Sequence, residues 1–224
     1  MMRIVKAGLL LSLAGAIVPA GFAAKDPTDA RVLLVPADQS AAVKSLLTPG
    51  DLGASWKGGP ETPNAMKIPV CPIYKPNNSD LVVTGHAESY AEQANLGIQV
   101  DADVAVFRSA KQVDVLFQRM LQPKLGSCLK FNLLKTLVGS QVDVELGTVT
   151  RLPIAKIGTH TALFRVAMAV KSGSSTVGVN SDFLYVSTGR TVFFVSVTSP
   201  EPSAKTAQTI ETRVARLLVK RAVA

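Results

Sequence analysis

The sequence is 224 residues long, 47% hydrophobic and 18% charged, with two cysteines, two histidines and a formal net charge of +8. Two histidines leave little room for histidine-based triads, and 5% aromatic residues are few for stacking bases. No stretch beyond the N-terminus reaches the ~18 apolar residues of a spanning helix, so an integral membrane segment in the mature chain and nucleic-acid binding are both disfavoured.

In chain order, Arg3 and Lys6 precede an apolar run, Ala7 to Val18, and Gly21-Phe22-Ala23 supplies small residues where a signal peptidase reads. The expectation is a signal peptide over residues 1–23, cleaved near Ala23, and a secreted or extracytoplasmic mature chain over 24–224. Losing Arg3 and Lys6 leaves a net charge of +6. The positive charge is concentrated at +5 in residues 108–135 and +3 in residues 201–224, which leaves the remainder slightly acidic. Basic regions of this kind attract anionic envelope polymers or anionic lipid, or serve as solvated helix faces. In an oxidising compartment Cys71 and Cys128 are expected to form a disulfide, worth about 4 kcal/mol for a loop of that length.

Lys25 to Pro36 reads as an extended lead-in, and Ala41 to Leu47 as a short helix followed by a turn from Thr48 towards Trp56. The only tryptophan is assigned to the core. Lys57 to Asp80 is rich in proline, glycine and asparagine and is expected to be a long surface loop tied down by the disulfide.

Val82 to Glu92 and Ile98 to Phe107 form a hairpin candidate. A two-residue turn at Asn95-Leu96 sets Glu88 opposite Asp103 and Tyr90 opposite Asp101, an acidic strip with His86 at one end that could hold a divalent cation. A three-residue turn with Gly97 in the left-handed region instead puts His86, Glu88 and Tyr90 on the apolar face, lining a polar cleft.

Ser109 can cap a helix, with Gln112 completing a capping box and Val113, Leu116, Phe117, Met120 and Leu121 forming the apolar stripe; Pro123 ends it. A second helix follows with Leu125, Cys128, Leu129 and Leu133 on one side, stopped by Gly139. Val142 to Leu152 alternates as a strand. Three antiparallel strands then run from Thr159 to Thr198, separated by Ser/Gly turns. A turn centred on Gly173-Ser174 sets Arg165 directly opposite Asp182, beside Asn180. After Pro200 and Pro202, Ser203 caps a last helix that packs Ala207, Ile210, Val214, Leu217 and Leu218 inward and projects Lys205, Arg213, Arg216 and Lys220.

These elements predict a single α+β domain, an antiparallel sheet packed against helices. No G-x-S-x-G elbow, H-E-x-x-H or P-loop spacing is present. His86-x-Glu88 offers only two ligands, and His160, at the start of an apolar strand, reads as a partly buried histidine.

The stretch Asp103-Val104-Ala105-Val106-Phe107-Arg108-Ser109-Ala110, running into a helix and on to Cys128, resembles a pattern in exported actinobacterial proteins. It is similar to the extracellular sensor domain of certain mycobacterial serine/threonine kinases and to stand-alone secreted or lipid-anchored relatives. The resemblance implies one α+β domain whose sheet curves around a cleft that binds a ligand or partner rather than catalysing. Only Cys71 and Cys128 match positions with an assigned, structural role; the chain has one cysteine pair where the resemblance implies two.

The function expected is therefore a secreted, non-catalytic domain that binds a small molecule or an envelope component in a cleft, with no cofactor and no resident metal. Arg165, Asp182 and Asn180 lead the candidate site, followed by Tyr90 and His86. Two alternatives stand beside it: a divalent-metal-dependent hydrolase using His86, Glu88 and Asp103, and an adhesion module acting through its basic helices.

Overall fold

In the computed structural model, which describes residues 26–62, 70–137, 143–172 and 175–223, all the named strands belong to one sheet. In chain order the elements are β1 (Arg31–Val32), α1 (Pro36–Lys44), α2 (Pro49–Leu52), β2 (Lys57–Glu61), β3 (Val82–Gln93), β4 (Ile98–Phe107), α3 (Ala110–Met120), α4 (Leu125–Leu137), β5 (Asp143–Leu152), β6 (His160–Ser172), β7 (Ser175–Thr188), β8 (Thr191–Pro200), a 3-10 turn (Glu201–Ser203) and α5 (Ala204–Ala222). The α+β class is as expected. Strands follow the order β1-β3-β4-β8-β7-β6-β5, with β2 also on β3. Among the named strands only β1 pairs in parallel, with one further isolated parallel bridge between Gly158 and Ser187.

Strand alternation sends side chains to two faces, and each face has its own core. On one, Val100, Val104, Leu163, Leu184, Phe193 and Val195 pack against α1 and against Ala207, Val214, Ala215 and Leu218 of α5, with Trp56 buried among them as expected. On the other, Phe107, Phe164, Val166, Phe183 and Tyr185 pack against Val113, Leu116, Phe117 and Met120 of α3 and Leu125 and Leu129 of α4. Each large side chain so buried contributes roughly 1.5–3 kcal/mol of transfer free energy. Among the described residues, no helix is long and apolar enough to cross a membrane.

Several local expectations change. Helix α1 starts at Pro36, not Ala41, because proline at the first helical position gives up no intrahelical hydrogen bond. Lys57–Glu61 is a strand rather than loop: it adds to the outer edge of β3, from Lys57 opposite Glu92 to Glu61 opposite Glu88. Gly58 permits this approach, since a Cβ there would lie 2.2 Å from the Tyr90 carbonyl oxygen.

Ser109 does cap α3, accepting from the Gln112 N–H, but the Gln112 side chain does not close the box. Its Nε2 donates to the Asp80 carbonyl and its Oε1 accepts from the Val82 N–H, so it fastens α3 to the start of β3. A bulge between Leu146 and Val149 interrupts the alternation of β5. Ser203 makes no side-chain cap on α5; the 3-10 turn supplies the entry instead. The expectations for Val142, Gly139 and the Gly173-Ser174 turn fall outside the described residues.

Cys71 and Cys128 are joined. The segment they anchor is further held by Asn132 Nδ2 donating to the Val70 carbonyl at 3.1 Å and by the Tyr74 hydroxyl donating to the Arg119 carbonyl.

Candidate functional site

The β3–β4 register decides the first polar cluster. Glu88 lies opposite Asp103 and Tyr90 opposite Asp101, the pairing of the two-residue alternative. The connection is nevertheless Ala94 to Gly97, between Gln93 and Ile98, and Gly97 takes the left-handed conformation (φ 63°) that the other alternative required. Directly opposed residues share a face, so His86, Glu88, Tyr90, Asp101 and Asp103 all point to the α3 side. Strand β2 adds Glu61 opposite Glu88.

Within this cluster His86 Nε2 is 2.8 Å from Asp103 Oδ1 and 3.5 Å from Glu88 Oε1. One ligand atom from each of the three falls within 4.8 Å of the others. His86 is 6% exposed, whereas Glu88, Asp103, Tyr90 and Asp101 are half-buried and reachable. Burial alone would lower the His86 pKa, but the hydrogen bond that the imidazole donates to Asp103, the Asp103 charge and that of Glu88 outweigh it and raise the value. The Asp101 carboxyl is raised too, first by burial and then by the charge of Glu61, against a hydrogen bond from Gln99. Beyond Asp103 the face continues through Phe194, which is stacked on Phe183 and tilted against Tyr185 at 4.9 Å. Oxygen and imidazole donors converging beside an aromatic wall suit a cationic ligand.

Gln39 supports this cluster from the sheet edge. Its amide donates to the His86 carbonyl at 2.8 Å and accepts from the His86 N–H at 3.0 Å, filling the ladder between β1 and β2. Neither Gln39 nor Glu61 is singled out by sequence; an amide four positions into a helix and a glutamate after Gly-Gly-Pro give no periodic signal.

The second cluster lies on the opposite face. Arg165 pairs with Asp182 as the turn predicted, and the contact is bidentate, Nε to Oδ1 at 2.7 Å and Nη2 to Oδ2 at 2.5 Å. Helix α5 covers it. Asp182 is 1% exposed and Asn180 buried. The helix also sets Glu211, which is 0% exposed, against the pair. Burial first, and the adjoining Asp182 carboxylate second, push Glu211 up to about 9 against the pull of Arg165. A protonated Glu211 leaves the group close to neutral, one positive guanidinium against one carboxylate. Glu211 was legible: it lies four residues after Ala207 and three before Val214, on the stripe that packs inward.

The five candidate residues therefore do not form one site. His86 and Tyr90 share the half-open α3 face, while Arg165, Asp182 and Asn180 share the α5 face beneath a helix. An open groove beside α5, lined by Pro153, Ile154, Gln208, Thr212, Arg213 and Arg216, contains none of them.

His160 brings together a serine, a histidine and an aspartate, and the geometry argues against nucleophilic use. Its Nδ1 meets Ser187 Oγ at 2.9 Å and its Nε2 lies 3.5 Å from Asp114 Oδ1. Ser187 is completely buried, so its hydroxyl cannot reach a substrate carbonyl. The imidazole stacks on Phe117 at 4.6 Å, consistent with the expected partly buried histidine.

In overall fold the chain is similar to the extracellular domain of PknH from Mycobacterium tuberculosis, with a TM-score of 0.46 and 11% identity, over 83% of this chain and 96% of that one. No protein-family model matches the sequence, and no curated protein matches it.

Proposed function

We propose that this chain is an extracytoplasmic, non-catalytic binding domain whose site is the acidic recess around His86, Glu88 and Asp103, and that its ligand presents a positive charge, with a divalent cation as the simplest case. The observation that carries this reading is the convergence of three ligand-type atoms within 4.8 Å on a half-open strand face. Tyr90 and Asp101 extend the recess, and Glu61 deepens its negative potential. The disulfide supports the extracytoplasmic setting. A non-catalytic role is favoured because His86 is engaged with both carboxylates and the buried Ser187 is no nucleophile.

A second reading, a metal-dependent hydrolase, is favoured by the donor count: three protein ligands leave coordination positions open for water and substrate. Calorimetric titration of the protein with Zn²⁺, Mn²⁺ and Ca²⁺ tests both. One saturable site is expected, weakened at least about tenfold in His86→Ala and Asp103→Ala. Heats indistinguishable from buffer for all three ions would sink the cation reading. Turnover of ester or phosphoester substrates by the loaded protein, abolished in the same variants, would favour the hydrolase.

A further inference from the structure

We propose that the outer face of α4 docks this domain onto an anionic lipid surface, independently of the His86 recess. Helix α4 is apolar on both sides. Leu125, Cys128 and Leu129 are buried against the sheet, which accounts for the inner side. The outer side carries Phe131 at 42% and Leu134 at 41% exposure, and Ile73 is 58% exposed on the segment bonded to α4 through Cys71–Cys128. That bond and the Asn132 to Val70 hydrogen bond fix the segment to the helix, so these side chains are displayed on a braced platform.

The charge along the helix has one sign. Between Pro123 and Leu137 there are three lysines, Lys124, Lys130 and Lys135, and no acidic residue; Lys75 lies two residues beyond Ile73. Apolar side chains rimmed by lysine match a lipid interface, where the former enter the acyl boundary and the latter meet phosphate. A polyanionic wall polymer would satisfy the lysines and leave Phe131 and Leu134 in water. A second copy of the chain would bring the same lysines into opposition. The surface therefore selects a partner that is both anionic and able to admit apolar groups, and a membrane is both.

The test is co-flotation of the full mature chain with vesicles of phosphatidylcholine alone or mixed with phosphatidylglycerol. Binding is expected only with the anionic vesicles, and is expected to weaken as salt rises. The double variant Phe131→Ser/Leu134→Ser should lose at least about tenfold in apparent affinity, with unchanged circular dichroism and an intact disulfide. Lys124→Gln/Lys135→Gln, at two exposed positions, should reduce binding and flatten its salt dependence. The proposal is overturned if the chain ignores anionic vesicles, if it binds both vesicle types equally, or if the serine variant binds as well as the parent. Loss of a dimer on sedimentation of that variant, in place of vesicle binding, would assign the face to a second copy instead.

Discussion

The two faces of the sheet carry polar clusters of similar make-up and opposite fate. Each is created by a strand register: Glu88 opposite Asp103 on one face, Arg165 opposite Asp182 on the other. On the α5 face a helix closes over the pair and contributes a third ionisable group, Glu211; on the α3 face, α3 and α4 cover Phe107 and Phe164 but leave Glu88, Asp103 and Tyr90 half-buried. The difference teaches that cover, not composition, separates an internal brace from a binding recess. A carboxylate sealed under a helix, as Asp182 is at 1% exposure, must have its charge balanced internally, while the Asp103 carboxylate at 20% keeps charge that a ligand can neutralise.

The sharpest way to break that comparison is Asp182→Ala against Asp103→Ala. Removing Asp182 strands a mostly buried guanidinium and is expected to cost about 3–5 kcal/mol in denaturant unfolding. The same change at Asp103 leaves His86 free to shed its proton, so no charge is stranded, and is expected to cost about 1 kcal/mol, the net worth of a hydrogen bond. Equal losses would mean the two faces are equally sealed.

Next in size is Glu211→Gln. Glu211 holds its proton to about pH 9 when folded, against an ordinary value of 4.5. Below the ordinary value both folded and unfolded chains are protonated; above it only the unfolded chain releases the proton, so stability falls by up to about 1.4 kcal/mol per pH unit until the folded group ionises. The neutral amide removes that slope. Glu211→Gln should therefore be the more stable protein near neutral pH, by on the order of 2 kcal/mol, with a gain that grows between about pH 5 and pH 8. A parallel pH dependence in parent and variant would show that Glu211 is ionised in place.

The smallest effect is on the open face. In Asp103→Asn the His86 pKa, raised in the parent by that carboxylate against the pull of burial, should fall in a proton NMR titration. Because the folded value is raised, the pair's stabilisation is complete below the ordinary histidine pKa and is lost as pH rises through the folded one. The variant should lose that extra stability in acid. An unmoved His86 would mean that Glu88 alone sets its charge.

Much of this was legible because register is local. One turn fixes every opposed pair in a hairpin, so Arg165 with Asp182 could be read from the chain, while Glu88 with Asp103 was one of two registers the Asn95-Leu96-Gly97 stretch left open. That the two pairs face apart could not be read, because it depends on β4 lying beside β8, a neighbour relation no turn encodes. Strand β2 was missed for another reason: Lys-Gly-Gly-Pro-Glu has little strand propensity, and it pairs because β3 offers an open edge. Glu211 carries two conflicting signals. Its helical phase pointed inward and its charge outward, and burial settled the conflict by retaining the proton.

The β4–β8 seam also bears on how the chain reaches this structure. Strands β5 to β8 pair in sequence, each closing a short connection, so they can zip together as a meander. Joining β4 to β8 instead brings Val106 beside Thr191, across both α3 and α4 and three intervening strands. The entropy of that long closure must be met before the seam rewards it, so the seam is expected to form late. The packing of Asp103 against Phe194 lies on that seam, so the recess around His86 is completed only when the two halves of the sheet meet.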